Sequence, residues 1–244
     1  MSSEILVVHL GTVPYEEARA LQKQLEGARQ ADEIRDVLLL LEHTPVYTRG
    51  RRSAPAELPM GVEWYEAQGI EVRDTDRGGL VTYHGPGQLV AYPIVSLAPY
   101  GDDVHEYVRG LERVMIGALG EHGVSAQVIA GLTGVWTEGE PPPTGRARKI
   151  GSIGVHVSRG VTTHGLAVNV SNDLQPFEWI VPCGIEGVAM TSVSRETGGA
   201  GAGVAGFAAT LSERFGEVFE RTPKAAEPDE IGLSIPAATL RAAR

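Results

Sequence analysis

Short apolar runs and helically spaced apolar positions take turns along this chain, and each marks an element. Ile5 to Leu10 is apolar enough for a strand. Pro14 to Arg29 then repeats Ala18, Leu21 and Leu25 on one helical face, with Glu16 and Glu17 suited to the positive N-terminal turn. Asp36 to Glu42 is apolar on both faces and ends at Thr44-Pro45, which predicts a buried strand; Gln88 to Val95 predicts another. Between them Thr48 to Pro59 is polar and proline-marked, a surface loop carrying Arg49, Arg51 and Arg52. Val104, Val108, Leu111, Met115 and Leu119 give a packing helix from Asp103 to Gly120. Glu138 to Arg148 holds three consecutive prolines and is expected as a mobile loop. Lys149 to Val157 and Val161 to Val170 are β-branched and dotted with glycine, a hairpin with the three-residue loop Ser158-Arg159-Gly160. Phe207 to Phe219 reads as a last helix. Strands and helices alternate unevenly without an internal repeat, so the fold expected is a single mixed α/β (α+β) domain over residues 1–221. Residues 222–244, rich in alanine, proline and charge, are expected as a poorly ordered tail.

Composition narrows the function. The 244 residues are 42% hydrophobic and carry a formal charge of −10, an excess that repels phosphate backbones and argues against a nucleic-acid partner. One cysteine, Cys183, makes neither an internal disulfide nor a multi-thiolate zinc site. No apolar stretch approaches a membrane span and no basic segment precedes the first short apolar run, so a cytoplasmic protein is expected. Gly201, Gly203 and Gly206 match G-x-G-x-x-G, but SVSRETGGA before them is not the buried strand a dinucleotide site needs. There is no G-x-x-x-x-G-K-[ST] phosphate loop, and the seven histidines show no H-E-x-x-H or paired metal spacing. His9, His43, His105 and His122 are expected as surface or satisfied core imidazoles.

Chemistry concentrates instead in three segments. In RGGLVTYHGPGQ, Gly78-Gly79 and Gly85-Pro86-Gly87 let main-chain N–H groups face a ligand, while Arg77, Thr82 and His84 supply polar tips; two tight turns bracketing a strand would explain the same pattern. In KIGSIGVHV, followed by THGLAVNV, Lys149 leaves an apolar strand end where desolvation favours its neutral form, although most lysines at strand ends point into water. In VPCGI, Cys183 sits on a constrained Pro-Cys-Gly turn, either as a reactive thiol beside backbone N–H groups or as a small buried hydrophobe.

These motifs, with LGTVPYEEA, LEHTPVYTRGRR, GVW and the TSV after VPCGIEGVAM, closely resemble the octanoyltransferase family, also called lipoate-protein ligase B, over roughly Leu10 to Arg195. The resemblance implies a mixed sheet flanked by helices, as in the lipoate ligase and biotin-protein ligase catalytic domains. It implies transfer of an octanoyl group from acyl carrier protein to a lysine of lipoyl domains, those of 2-oxoacid dehydrogenase complexes and of the glycine cleavage H protein. No nucleotide, metal or organic cofactor is implied, and the protein is expected to act as a monomer. The family's acyl-thioester cysteine falls on Cys183 and its partner lysine on Lys149. Its acyl-binding stretches fall on Arg77, Gly78, Gly79, Leu80, Val81, Thr82, Tyr83 and His84, on Ser152, Ile153 and Gly154, and on Gly165, Leu166 and Ala167. Two departures stand out: Gly151 occupies a place where alanine is expected, and the proline-rich loop before Lys149 is longer than usual.

The chemistry implied is internally consistent. Exchange of one thioester for another costs little, whereas activating a free acid requires ATP. An acceptor lysine with a pKa of about 10.4 must lose its proton before it attacks, and Lys149 is the candidate base. An apolar slot bordered by Leu80, Ile153 and Leu166 gains about 0.8 kcal/mol per buried methylene. His84 and His164 are expected to shape and polarise the slot. Arg49, Arg51 and Arg52 form the candidate docking face for an acidic carrier protein. An ATP-dependent ligase, a cysteine hydrolase using His84 or His164, and a non-catalytic acyl-binding module are the competing readings.

Overall fold

The computed structural model describes residues 3–143, 145–180, 188–201 and 203–232. In chain order the strands are β1 (Glu4–Val13), β2 (Val37–His43), β3 (Val46–Arg49), β4 (Glu71–Asp74), β5 (Val81–His84), β6 (Gln88–Ile94), β7 (Ala126–Ile129), β8 (Leu132–Thr137), β9 (Lys149–Ser158), β10 (Val161–Asn169) and β11 (Thr222–Ala225). The helices are α1 (Tyr15–Gln30), α2 (Val62–Ala67), α3 (Val104–Glu121), α4 (Val193–Glu196) and α5 (Val204–Val218). An eight-stranded mixed sheet runs β11-β1-β2-β6-β10-β9-β8-β7, and a three-stranded sheet runs β4-β3-β5. β1 pairs in parallel with β11 and β2, while the ladders from β2 to β7 are antiparallel.

Both faces of the large sheet are buried, which is why β2 reads VLLLL without alternation. On one face Leu38, Leu40, Ala91, Leu166 and Ile150 pack with Leu111, Met115, Phe207 and Phe215 from α3 and α5. On the other face Leu39, Leu41, Val90, Tyr92 and Ala167 pack with Ala18 and Leu25 from α1. The small sheet and α2 enclose a third core of Tyr47, Tyr65, Tyr83, Phe177 and Ile180. Asp103 caps α3, its carboxylate accepting from the His105 and Glu106 amides. Among the described residues no helix is long and apolar enough to cross a membrane.

Three expectations need correction. The hairpin loop has two residues, because Ser158 pairs with Val161; Arg159 and Gly160 both take positive φ (47° and 75°), the type I′ combination that matches strand twist. The tail is not unstructured from Thr222: β11 pairs with the start of β1, and Ile231 is buried under α1's side of the sheet. The sequence TPKA hides that strand because proline is tolerated only at an edge, which is where β11 lies. The Thr48–Pro59 loop is not wholly superficial either: Thr48 belongs to β3 and is fully buried. Residues 233–244 lie outside the described residues.

Candidate active site

A cavity of about 160 Å³ lies over the α1 side of the large sheet, walled by β5 and the loop before it. Its floor follows from side-chain size. Ser152 of β9, Ala167 of β10 and Val90 of β6 stand side by side, as do Gly154 and Gly165. Small residues on β9 and β10 leave a trough across two strands; the bulkier Val90 and Tyr92 of β6 close it.

Lys149 reaches this trough through a break in strand pairing. Val135 pairs with Gly151 and Trp136 with Lys149, so Ile150 is an extra residue, a bulge that reverses the alternation of faces. Ile150 enters the α3 core, and Lys149, 3% exposed, lines the cavity with its ammonium 5.4 Å from the centre of the Trp136 ring. Gly134, at φ 107°, makes room for it: a Cβ there would stand 3.0 Å from Lys149 Cε and 2.5 Å from the Gly151 carbonyl oxygen. The Lys149 amide donates to Ala189 O, and its carbonyl accepts from Thr191 N, both at 2.9 Å. Cys183 lies outside the described residues, as do its neighbours Pro182 and Gly184.

The RGGLVTYH segment divides between the cavity and the third core, with Val81 touching both. Gly79, Leu80, Val81, Thr82 and His84 line the cavity, whereas Tyr83 turns into the third core against Tyr47 and Phe177. Gly78 is a spacer: its amide donates to Val155 O, and a Cβ on Gly154 would lie 2.9 Å from Gly78 O. Arg77 lines the cavity, but its guanidinium donates to Thr48 Oγ1, Thr48 O and Gly78 O, tying the loop to β3. Ser152, Ile153, Gly154, Gly165, Leu166 and Ala167 all line the cavity with Lys149, so the stretches expected to bind the acyl chain meet at one place. Tyr83 and Gly78 are absent from that lining.

The far end is a buried polar network. His43 joins Val13 O through Nδ1 and the Tyr92 hydroxyl through Nε2, at 2.8 and 2.7 Å, and burial lowers its pKa to about 4. Burial likewise holds His84 neutral, so its Nδ1–H donates to Gln88 Oε1 at 2.6 Å. The Tyr15 hydroxyl donates to Thr75 Oγ1 at 2.7 Å. His164 adopts φ 56°, which swings its ring away from the face taken by Leu166 and toward α1, where Gln22 Oε1 accepts from its amide. The Asp76 carboxylate is held below the usual range by its hydrogen bond from His164 Nε2, 2.9 Å away, while burial lowers His164. His43 is the satisfied core imidazole expected, whereas Tyr15 and Tyr92, which line the cavity, and Thr75 and Asp76 behind them were missed as site residues. They are scattered along the chain, and each resembles ordinary core or turn chemistry.

The arginine face is only partly as expected. Arg49 is engaged by both Asp74 oxygens, at 2.8 and 2.9 Å, which withdraws it as a free docking charge. Arg51 and Arg52 are exposed, and Arg52 lines the cavity mouth.

Residues 14–216 match the model of the lipoyl protein ligase A/B catalytic domain. The chain is 47% identical to an octanoyltransferase of Chloroflexus aurantiacus, over 90% of this chain and 96% of that relative. It is also 47% identical to an octanoyltransferase of Thermobifida fusca, covering 80% of each. Among solved structures, a bi-partite lipoate protein ligase with its E2 lipoyl domain, from Thermoplasma acidophilum, superposes with a TM-score of 0.67 at 16% identity, over 98% of this chain and 89% of that one. A lipoate-protein ligase A bound with ATP gives 0.64 at 16% identity, over 98% and 91%. These two show the shared fold. The sequence relatives carry the assignment further: this chain belongs to the octanoyltransferase family.

Proposed function

We propose that the chain moves an octanoyl group from acyl carrier protein to a lysine of a lipoyl domain through a thioester on Cys183, with Lys149 carrying the protons. Such acceptor domains belong to 2-oxoacid dehydrogenase complexes and the glycine cleavage H protein. The observation that carries this reading is a lysine 3% exposed on the wall of a cavity otherwise floored by Ser152, Gly154, Gly165 and Ala167.

In the first half reaction Lys149 takes the Cys183 proton, and the thiolate attacks the octanoyl carbonyl. The new carbon–sulfur bond forms as the bond to the carrier's pantetheine sulfur breaks, and Lys149 returns the proton to that departing thiolate. In the second half, Lys149 takes the proton of the incoming acceptor amine, the amide forms, and Cys183 leaves as the thiolate to be reprotonated. Main-chain N–H groups stabilise the oxyanion of each tetrahedral intermediate. The hydrocarbon tail lies in the trough between Leu80 and the floor of Ser152, Gly154, Gly165 and Ala167, where Ile153 and Leu166 contribute backbone while their side chains pack into the core under α3. Arg51 and Arg52 carry the docking of the acidic carrier, Arg52 at the mouth.

The test is intact-mass spectrometry after incubation with octanoyl-acyl carrier protein and no acceptor. One octanoyl adduct is expected, mapped to Cys183 by peptide sequencing and absent from Cys183→Ala. Transfer activity retained by Cys183→Ala overturns the covalent reading in favour of a ligase-like route. Reversing Arg51 and Arg52 to Glu should raise KM for acyl carrier protein and leave a small octanoyl thioester unaffected; equal KM values refute the docking face.

A further inference from the structure

The register of the large sheet points to a measuring device for the acyl chain. Ser152, Ala167 and Val90 form one row across β9, β10 and β6, and Leu41 of β2 stands behind Val90. Side-chain bulk is small for two strands and then rises abruptly. Beside this row Gly154 faces Gly165, and a Cβ on Gly165 would press on Ala91 O and Pro93 Cδ, the residues that flank Tyr92. The glycine row is roofed closely by Gly78 O and Arg77 Cδ over Gly154, so the Ser152–Ala167 row is the one that runs across β9 and β10 and stops at Val90 of β6.

The stop is rigid. Val90 is 1% exposed and backed by the core under α1. The Tyr92 hydroxyl is fixed by His43, which is itself fixed by Val13 O. Val90 lies two interstrand steps of about 4.8 Å across from Ser152, and Ser152 lies three residues, about 10 Å, along β9 from Lys149, a diagonal that the Lys149 side chain and an extended eight-carbon chain span together.

We propose that Val90, with Tyr92 beside it, sets the length of acyl chain this protein accepts, by blocking the trough two strands from Lys149. The inference rests on the reading that the acyl tail occupies this cavity. Val90 is the specificity-determining position, because Val90→Ala removes two carbons from the wall without disturbing the Tyr92–His43 pair. Any longer tail must bend out of the trough or displace a packed strand residue.

The experiment measures kcat/KM for hexanoyl, octanoyl and decanoyl thioesters of acyl carrier protein with the wild type, Val90→Ala, Val90→Ile and Ala167→Val. Val90→Ala is expected to raise the decanoyl-to-octanoyl ratio about 10-fold or more, and Val90→Ile to raise the hexanoyl-to-octanoyl ratio, since one methylene in a tight pocket is worth roughly 10- to 200-fold. Opposite shifts from smaller and larger side chains are not produced by a general loss of folding. Ala167→Val, which fills the trough floor, should depress kcat/KM for octanoyl and decanoyl chains alike. If Ala167→Val has its effect while both Val90 variants keep the wild-type ratios, the measuring role is overturned and the location of the tail survives. If Ala167→Val leaves octanoyl transfer unchanged, the tail lies elsewhere and both readings fall.

Discussion

The two ends of the cavity are built on opposite principles. At the Lys149 end a bulge at Ile150 and a glycine at 134 bring one long side chain onto the floor, and the pieces come from neighbouring strands β8 and β9. At the β6 end Tyr15, His43, Thr75-Asp76 and Tyr92 come from four separate stretches of chain, and hydrogen bonds hold them in place. On the proposed mechanism the near end exchanges protons with a substrate, its amine being held at the cavity wall. The far end has its polar groups occupied with one another, which lets histidines and tyrosines terminate an apolar slot without presenting unmet hydrogen-bonding demand to a hydrocarbon tail.

The sharpest way to break this contrast is Lys149→Ala. If the near end carries proton transfer, single-turnover octanoyl transfer should fall by roughly 10²- to 10⁴-fold, with a thermal midpoint close to that of the wild type. A loss under tenfold would make Lys149 a wall residue like those at the other end.

Acid should instead reveal the far end. His43, His84 and His164 all have pKa values lowered by burial, His43 to about 4, so the folded protein keeps them neutral where the unfolded chain, titrating near 6.5, binds protons. Between those limits the unfolded state is the more protonated one, so stability rises with pH and is lost on acidification. Up to three protons are involved, about 4 kcal/mol per pH unit at the steepest. Asp76 does not oppose this, since a depressed carboxylate costs stability only as pH falls through the acid range below it. Urea midpoints at pH 7 and pH 5 measure the loss, and equal midpoints would mean the imidazoles titrate as exposed groups.

The same contrast explains what could be read from the sequence. Lys149, Ser152, Gly154, Gly165 and Ala167 are legible because they cluster in one hairpin, where glycines in place of β-branched residues signal close approach. The helices α1, α3 and α5 follow from apolar spacing, and their observed ranges lie within a few residues of expectation. His43 and Tyr92 are different. One ends the apolar run of β2 and the other interrupts the apolar run of β6, so nothing local distinguishes them from core, and their meeting is a product of the β2–β6 ladder. His164 was flagged, but the positive φ that turns it toward α1 has no signature in THGLAVNV. The small strands β3 and β4 were missed because four-residue elements carry too little periodicity, β5 is the strand that the two glycine turns of RGGLVTYHGPGQ would bracket, and β11 was missed because its proline argued against a strand.

Tyr92→Phe probes the far end in isolation. It removes the partner of His43 Nε2 and leaves a buried polar atom unmet, at a cost of about 1 to 3 kcal/mol in urea unfolding. Octanoyl transfer per folded molecule should stay within a few fold of wild type, because the ring that closes the trough remains. A stability unchanged by this substitution would show that the far end is held by packing alone.

The smallest effect tests whether the two ends are separable at all, because β10 carries pieces of both. Gly160 sits at the tip of the β9–β10 hairpin at φ 75°, and the nearest atom to a Cβ there would be Asp102 Oδ1 at 3.6 Å, an ordinary contact. Gly160→Ala therefore costs only the left-handed backbone penalty of about 1 kcal/mol, without a steric clash. The hairpin is anchored further along by Gly165 pairing with Gly154 and Ala167 with Ser152, so the strain should stay at the turn. Both the octanoyl transfer rate and the chain-length ratios should match the wild type while the thermal midpoint falls by a few degrees. A change in chain-length ratio, with the rate constant intact, would mean that turn geometry is transmitted along β10 to the trough and that the two ends are mechanically one.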